Sequence, residues 1–159
     1  MMAAASLKTR NGKANTIKKT FNRQTSVSID IASDPSIIWK ILTTAASYPA
    51  WNSTVISIEG TIAAGEKIKL KSTLDAKRTF SLKVKEFHPE HKLVWGDAMG
   101  NRVYTLIKKA NASVLFTMTE KIGGPLFPLF AKMIPSFDES FEQFAADLKK
   151  EAESIMNAK

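Results

Sequence analysis

The hydrophobic period of this chain changes once, and that change limits the possible folds more than any other feature. Between residues 55 and 121 apolar side chains tend to recur at every second position; after Ser136 they recur every third or fourth. The first spacing belongs to strands with one wet face, the second to a helix with one apolar face. Lys67, Lys69 and Lys71 alternate with Ile68, Leu70 and Ser72, and Phe80, Leu82 and Val84 alternate with Ser81, Lys83 and Lys85. Segments 55–59, 93–95, 102–108 and 114–121 complete a meander with the short connections that antiparallel neighbours use. Gly123-Gly124-Pro125 then breaks the sheet. From Ser136 onward Phe137, Phe141, Phe144, Leu148 and Ile155 share one face, and Ser136 with Glu139 fits a capping box. A helix of about 20 residues is ~30 Å long, enough to cross a whole sheet.

Ahead of the meander, residues 16–31 read as one extended segment, because Val27, Ile29 and Ile31 alternate with Ser26, Ser28 and Asp30. Ser33, Asp34 and Pro35 signal a helix start, and Ile37, Ile38, Ile41 and Leu42 give it one apolar stripe. That helix runs out near Ser47, before Tyr48-Pro49, and Trp51 follows in a short irregular turn. The order strand, helix, six strands, long helix predicts an α+β domain, a curved antiparallel sheet of about seven strands wrapped around the last helix.

The chain has the length of one domain, and it contains no cysteine, which excludes disulfides and thiolate chemistry. No apolar run approaches the ~20 residues that span a bilayer. Residues 1–6 are small and apolar, but Lys8 and Arg10 interrupt them before a signal-peptide core can form, so the cytoplasm is the default location. The net charge of +8 is unevenly spread: six of the 23 basic residues fall in the first 25 positions, which hold no acid. The rest of the chain is nearly balanced, so no nucleic-acid partner is expected. Residues 1–15 read as a basic, flexible leader and 16–157 as a single domain, monomeric or homodimeric.

Few residues promise chemistry. His88 and His91 flank Glu90 in a Pro-containing turn, short of the three or four converging ligands of a zinc site, so no metal and no cofactor are expected. No Gly-x-Ser-x-Gly elbow is present, and Gly123-Gly124 lacks the spacing of a phosphate loop. Glu120 shares a strand face with Val114, Phe116 and Met118, which makes it the candidate general acid or base. The alternative is a strand-end carboxylate that reaches water or a lysine. Asp97, beside Gly96, reads as a turn residue. Trp51, Trp95, Tyr104, Phe116, Met118, Phe127, Phe130 and Phe141 are the candidate ligand-binding residues, large apolar groups with occasional polar handles. The apolar segment 126–134 is either a lid or a short packing helix.

Several stretches together resemble the SRPBCC superfamily, which includes START-type lipid carriers and polyketide cyclases. They are Ser33-Asp34-Pro35-Ser36-Ile37-Ile38-Trp39, Tyr48-Pro49-Ala50-Trp51-Asn52, Leu93-Val94-Trp95-Gly96-Asp97, Phe116-Thr117-Met118-Thr119-Glu120, and Phe141 to Leu148. The likeness covers roughly residues 16–155 and is nearest to small, stand-alone bacterial members. It implies a helix-grip fold with a cavity between sheet and long helix for hydrophobic or amphipathic ligands. Three functions follow as expectations. One is binding or transport of a lipid, polyketide or aromatic molecule. Another is a cyclase or dehydrase acting in the same cavity. The third is a protein-interaction module like the related activators of a heat-shock chaperone ATPase.

Overall fold

The computed structural model describes residues 11–159. The chain opens with a hairpin, β1 (Ala14–Lys18) and β2 (Asn22–Ile31), followed by α1 (Pro35–Thr43), a 3-10 turn and α2 (Tyr48–Trp51). Six further strands form the meander: β3 (Val55–Glu59), β4 (Lys67–Ser72), β5 (Asp75–His88), β6 (Lys92–Gly96), β7 (Gly100–Lys108) and β8 (Val114–Gly123). The short α3 (Phe127–Phe130) runs into a 3-10 turn, and α4 (Asp138–Asn157) closes the chain. All eight strands join one antiparallel sheet in the order β1-β2-β8-β7-β6-β5-β4-β3. The fold is therefore the α+β helix-grip arrangement that the sequence predicts, with one strand more.

The extra strand comes from the segment read as continuous extended chain. Residues 19–21 turn it back on itself, with the Lys19 N–H donating to Asn22 O at 2.8 Å. No glycine, proline or Asn-Gly pair marks that turn, so period-two patterning ran straight through it. Ala14 and Asn15 lie in β1, inside the sheet rather than in a leader. The Ala14 N–H donates to the Glu142 carboxylate, and Thr16 donates to Asp138, tying this edge strand to α4.

Alternation sorts the sheet faces. Val27, Ile29 and Ile31 on β2, Tyr104 and Leu106 on β7, and Val114, Phe116 and Met118 on β8 are buried. Against them α4 sets Phe141, Phe144, Ala145, Leu148 and Ala152, the i, i+3, i+4, i+7 stripe of a one-faced helix. Ile155, expected on that face, is 38% exposed near the helix end. Neither predicted cap forms as read. Asp34 makes no side-chain cap bond, and α4 starts after Phe137, with Ser136 Oγ accepting from the Asp138 N–H.

Register shifts occur at Val55/Ser57, Leu70/Ser72 and Val84/Glu86, on neighbouring strands. Such bulges add twist and bend a sheet locally. All fall in the β3–β6 half, away from the β1, β2 and β8 strands on which α4 lies. The sheet therefore bends beyond the span of α4, with α1 and α2 packed on β5 and β3, and the cavity lies on that side. Among the described residues, no helix is long and apolar enough to cross a membrane.

Candidate functional site

A cavity of about 350 Å³ opens between the inner faces of β4 to β8 and the segment that precedes α4. Its apolar wall includes Leu70, Phe80, Leu82, Trp95 and Ile122, and Met133, Pro135 and Phe137 close it from the helix side. Polar side chains are interspersed among them. Arg102 and Glu120 sit on the wall, Arg78 and Asp75 come from the β4–β5 hairpin, and Asp97 and Asn101 from the β6–β7 turn. Gly96 at that turn has no room for a side chain: a Cβ there would lie 2.2 Å from Gly100 O. Asp97 is a turn residue as predicted, its Oδ1 accepting from the Met99 and Gly100 N–H groups.

The polar centre of the wall is a cross-strand pair. Arg102 on β7 and Glu120 on β8 are directly opposite in register, and Arg102 Nε donates to Glu120 Oε1 at 2.6 Å. Their side chains are 17% and 19% exposed. The guanidinium lies over the Phe141 ring, 4.9 Å from its centroid. Burial disfavours the charge on Arg102, but Glu120 more than offsets it and the arginine is held protonated above its ordinary pKa. Next to it, burial pushes the Tyr104 hydroxyl well up; the arginine charge opposes this without reversing it. Tyr104 Oη lies close enough to the Arg102 guanidinium to feel it, but makes no hydrogen bond of good geometry.

The sequence-predicted residues separate into distinct places. Glu120 does face the cavity, and its charged partner is Arg102 rather than a lysine. Trp95 lines the wall, edge-on to Tyr104 at 5.0 Å between ring centroids. Tyr104, Phe116, Met118 and Phe141 do not line it; they are buried where sheet and α4 meet. Phe144 explains this: it stacks on Phe116 and lies within 6.4 Å of Tyr104, Tyr48 and Trp51, filling the space the cavity was expected to occupy. Trp51 borders a separate shallow groove between α1 and the C-terminal turns of α4. Phe127 is buried and Phe130 packs edge-on against it, which anchors α3 instead of lining the cavity. Segment 126–134 is a short helix that turns Leu126, Leu129 and Met133 outward. His88 and His91 are exposed at the β5–β6 hairpin, and among the described residues no His/Cys/Asp/Glu group is arranged to hold a metal.

Sequence reading missed two arginines. Arg102 was legible, since it falls two residues before Tyr104 on the inward face and opposite the inward Glu120. Arg23 was counted with the basic leader, yet it is 7% exposed. Its Nη2 donates to Pro135 O at 2.9 Å, longer bonds reach Ile134 O, and its guanidinium lies 5.4 Å from the Phe137 ring centroid. It holds the closing segment down on the cavity.

This geometry defines a helix-grip fold with a small amphipathic cavity. No family model matches the sequence, and no curated protein matches it. Solved structures do share the fold. A START superfamily protein from Mycobacterium smegmatis aligns at a TM-score of 0.60 and 15% identity, over 83% of this chain and 98% of that one. A protein from Nitrosomonas europaea gives 0.65 and 12%, over 89% and 99%. A protein of the dynemicin biosynthetic locus gives 0.62 and 14%, over 84% of this chain but 48% of that one. At such identities the likeness speaks to the fold alone.

Proposed function

We propose that the chain binds a small amphipathic molecule, apolar along most of its length and bearing a carboxylate or carbonyl oxygen at one end. The observation that carries this reading is Arg102. Its guanidinium sits in a wall of mixed apolar and polar side chains and makes one protein hydrogen bond of good geometry, through Nε, so its Nη groups are the donors on offer to a ligand oxygen. Trp95 and Phe80 supply flat apolar surface, and the cavity lies within the size range of small-molecule pockets, ~300–1,000 Å³. Lipid, polyketide and aromatic acids all share this chemistry.

A thermal-shift panel of fatty acids, aromatic carboxylates and their methyl or amide counterparts tests the proposal. Acids and carbonyl compounds are expected to raise the melting temperature, by linkage, more than matched hydrocarbons do. The paired variant Arg102→Met/Glu120→Leu removes the polar centre without stranding a charge, and should abolish the preference. A flat response across the panel, or a preference the variant keeps, would sink the reading.

Glu120 supports a second reading, a cyclase or dehydrase type of proton transfer. It is a cavity carboxylate whose Oε1 is taken by Arg102, so Oε2 is the atom on offer to a substrate. Turnover of a candidate polyketide substrate that survives Glu120→Gln unchanged would remove it.

A further inference from the structure

The end of the sheet where the cavity opens carries an unusual concentration of exposed apolar side chains. Leu126, Leu129 and Met133 are 63%, 78% and 80% exposed on the α3 segment. Two turns flank the start of that segment and add to it. Phe21 in the β1–β2 turn is 56% exposed, and its carbonyl accepts from the Gly124 N–H. Met99 in the β6–β7 turn is 42% exposed, and its carbonyl accepts from the Gly123 N–H. The backbone thus ties three separate pieces of chain into one apolar end. The fold needs none of these side chains exposed, since Phe127 alone buries α3.

The exposed charge carried by the apolar segment and its adjoining strand ends is positive. Lys18, Lys19, Lys121 and Lys132 are all exposed there. No acid occurs in residues 121–137 or 18–23; the nearest carboxylates, Asp97 and Asp75, belong to the β6–β7 and β4–β5 turns at the cavity mouth. Contiguous apolar surface of this kind marks an interaction site, and an apolar face within a lysine rim is complementary to anionic headgroups over acyl chains. A two-fold contact with a second copy would instead set the same lysines against one another.

We infer that this end docks on an anionic lipid surface, inserting Leu126, Leu129 and Phe21 at headgroup depth while the lysines meet lipid phosphates. Met99 and Met133 belong both to this end and to the cavity wall, so the cavity mouth faces the bilayer when the protein is docked. Passage of ligand between membrane and cavity rests on the cavity-binding reading above; the docking itself does not.

Sedimentation of the whole chain with vesicles tests it, using phosphatidylglycerol mixed into phosphatidylcholine against phosphatidylcholine alone. Binding is expected only to the anionic vesicles. It should fall at least about tenfold in Leu126→Asp/Leu129→Asp, and by a similar factor in Lys18→Gln/Lys19→Gln/Lys132→Gln. In Leu129→Trp, tryptophan emission should shift to the blue on adding those vesicles. Failure of the wild-type protein to sediment, or equal binding to neutral vesicles, overturns the inference. So does a dimer in sedimentation velocity that Leu126→Asp/Leu129→Asp dissolves. The two proposals fail separately: the leucine variant should keep its thermal response to dissolved ligand, and Arg102→Met/Glu120→Leu should keep vesicle binding.

Discussion

Arg102 and Glu120 are joined by a 2.6 Å bond in the cavity wall, so each is the other's main source of charge compensation. Removing one partner strands the other charge, which typically costs about 3 kcal/mol, while replacing both by apolar groups is often close to neutral. Arg102→Met is therefore expected to lower the unfolding free energy by ~3 kcal/mol in urea, and Arg102→Met/Glu120→Leu to recover most of that. Strictly additive single effects would show that the pair is not coupled. Two buried tyrosines make a second comparison at this scale. Tyr48 Oη donates to Leu42 O at 2.7 Å, whereas Tyr104 Oη only approaches the Arg102 guanidinium, without a hydrogen bond of good geometry. Tyr48→Phe should cost about 1–3 kcal/mol by leaving a buried carbonyl unpaired, and Tyr104→Phe less than ~1 kcal/mol, read from urea midpoints. Residue-scale reading of the sequence was right about facing and wrong about depth. Period two put Val114, Phe116, Met118 and Glu120 on one strand face, and that face is the inward one. The period carries no information on where α4 crosses each strand, and that crossing decides which inward side chains become core and which become cavity wall.

Elements held by few long-range bonds are where single substitutions should be felt in motion more than in stability. The closing segment 131–137 is clamped from β2 by Arg23, whose bonds end on backbone carbonyls. Arg23→Met keeps apolar contact with Phe137 but removes the donors. It should speed amide exchange across residues 131–137 relative to β8, because the local opening free energy falls while the sheet is untouched. Unchanged exchange there would show that apolar packing alone holds the segment. The far half of α4 is tied down by Glu153, which accepts from the Ala32 N–H at 2.8 Å and from Lys149 at 2.6 Å. Desolvation alone would raise the Glu153 pKa, but these bonds and the lysine charge outweigh it and the carboxyl is held below its ordinary value. A lowered folded pKa means stability that is full above the unfolded value, about 4.3, and lost as pH falls through the folded one. Because the group is only partly buried and solvent still screens it, Glu153→Gln should cost under ~1 kcal/mol at neutral pH, and the difference from wild type should vanish in acid melts. Existence and type of the long elements were legible from period. The β1–β2 turn was not, because Lys19-Thr20-Phe21 carries no turn chemistry, and neither were the bulges, which leave alternation intact on either side.

Across the whole molecule the sheet stays open, and each edge is managed differently. The β3 edge is short and lies beside α2, while the β1 edge is secured by side chains of α4. Helix and first strand therefore stabilise one another at opposite ends of the sequence, which makes the N-terminal boundary of the domain a physical question. The basic composition of residues 1–15 argued for a leader throughout, but Ala14 pairs with Val27 and Asn15 with Ser26. Charge density reports solvation of side chains, and an edge strand with one wet face has the same composition as a tail. Two truncations separate these readings. Deleting residues 1–10 keeps the pairing of β1 with β2 and the bonds of Ala14 and Thr16 to α4, and the melting temperature should stay within about 2 °C of wild type. Deleting residues 1–19 bares the β2 edge and removes the bonds from Ala14 to Glu142 and from Thr16 to Asp138. At about 1 kcal/mol for each lost side-chain bond, and ~2–4 °C for each kcal/mol at this size, the melting temperature should fall by at least ~4–8 °C. The exposed β2 edge should also promote association, visible in light scattering. If the longer deletion melts like the full chain, β1 adds nothing to the fold, and the charged N-terminal stretch is a leader after all.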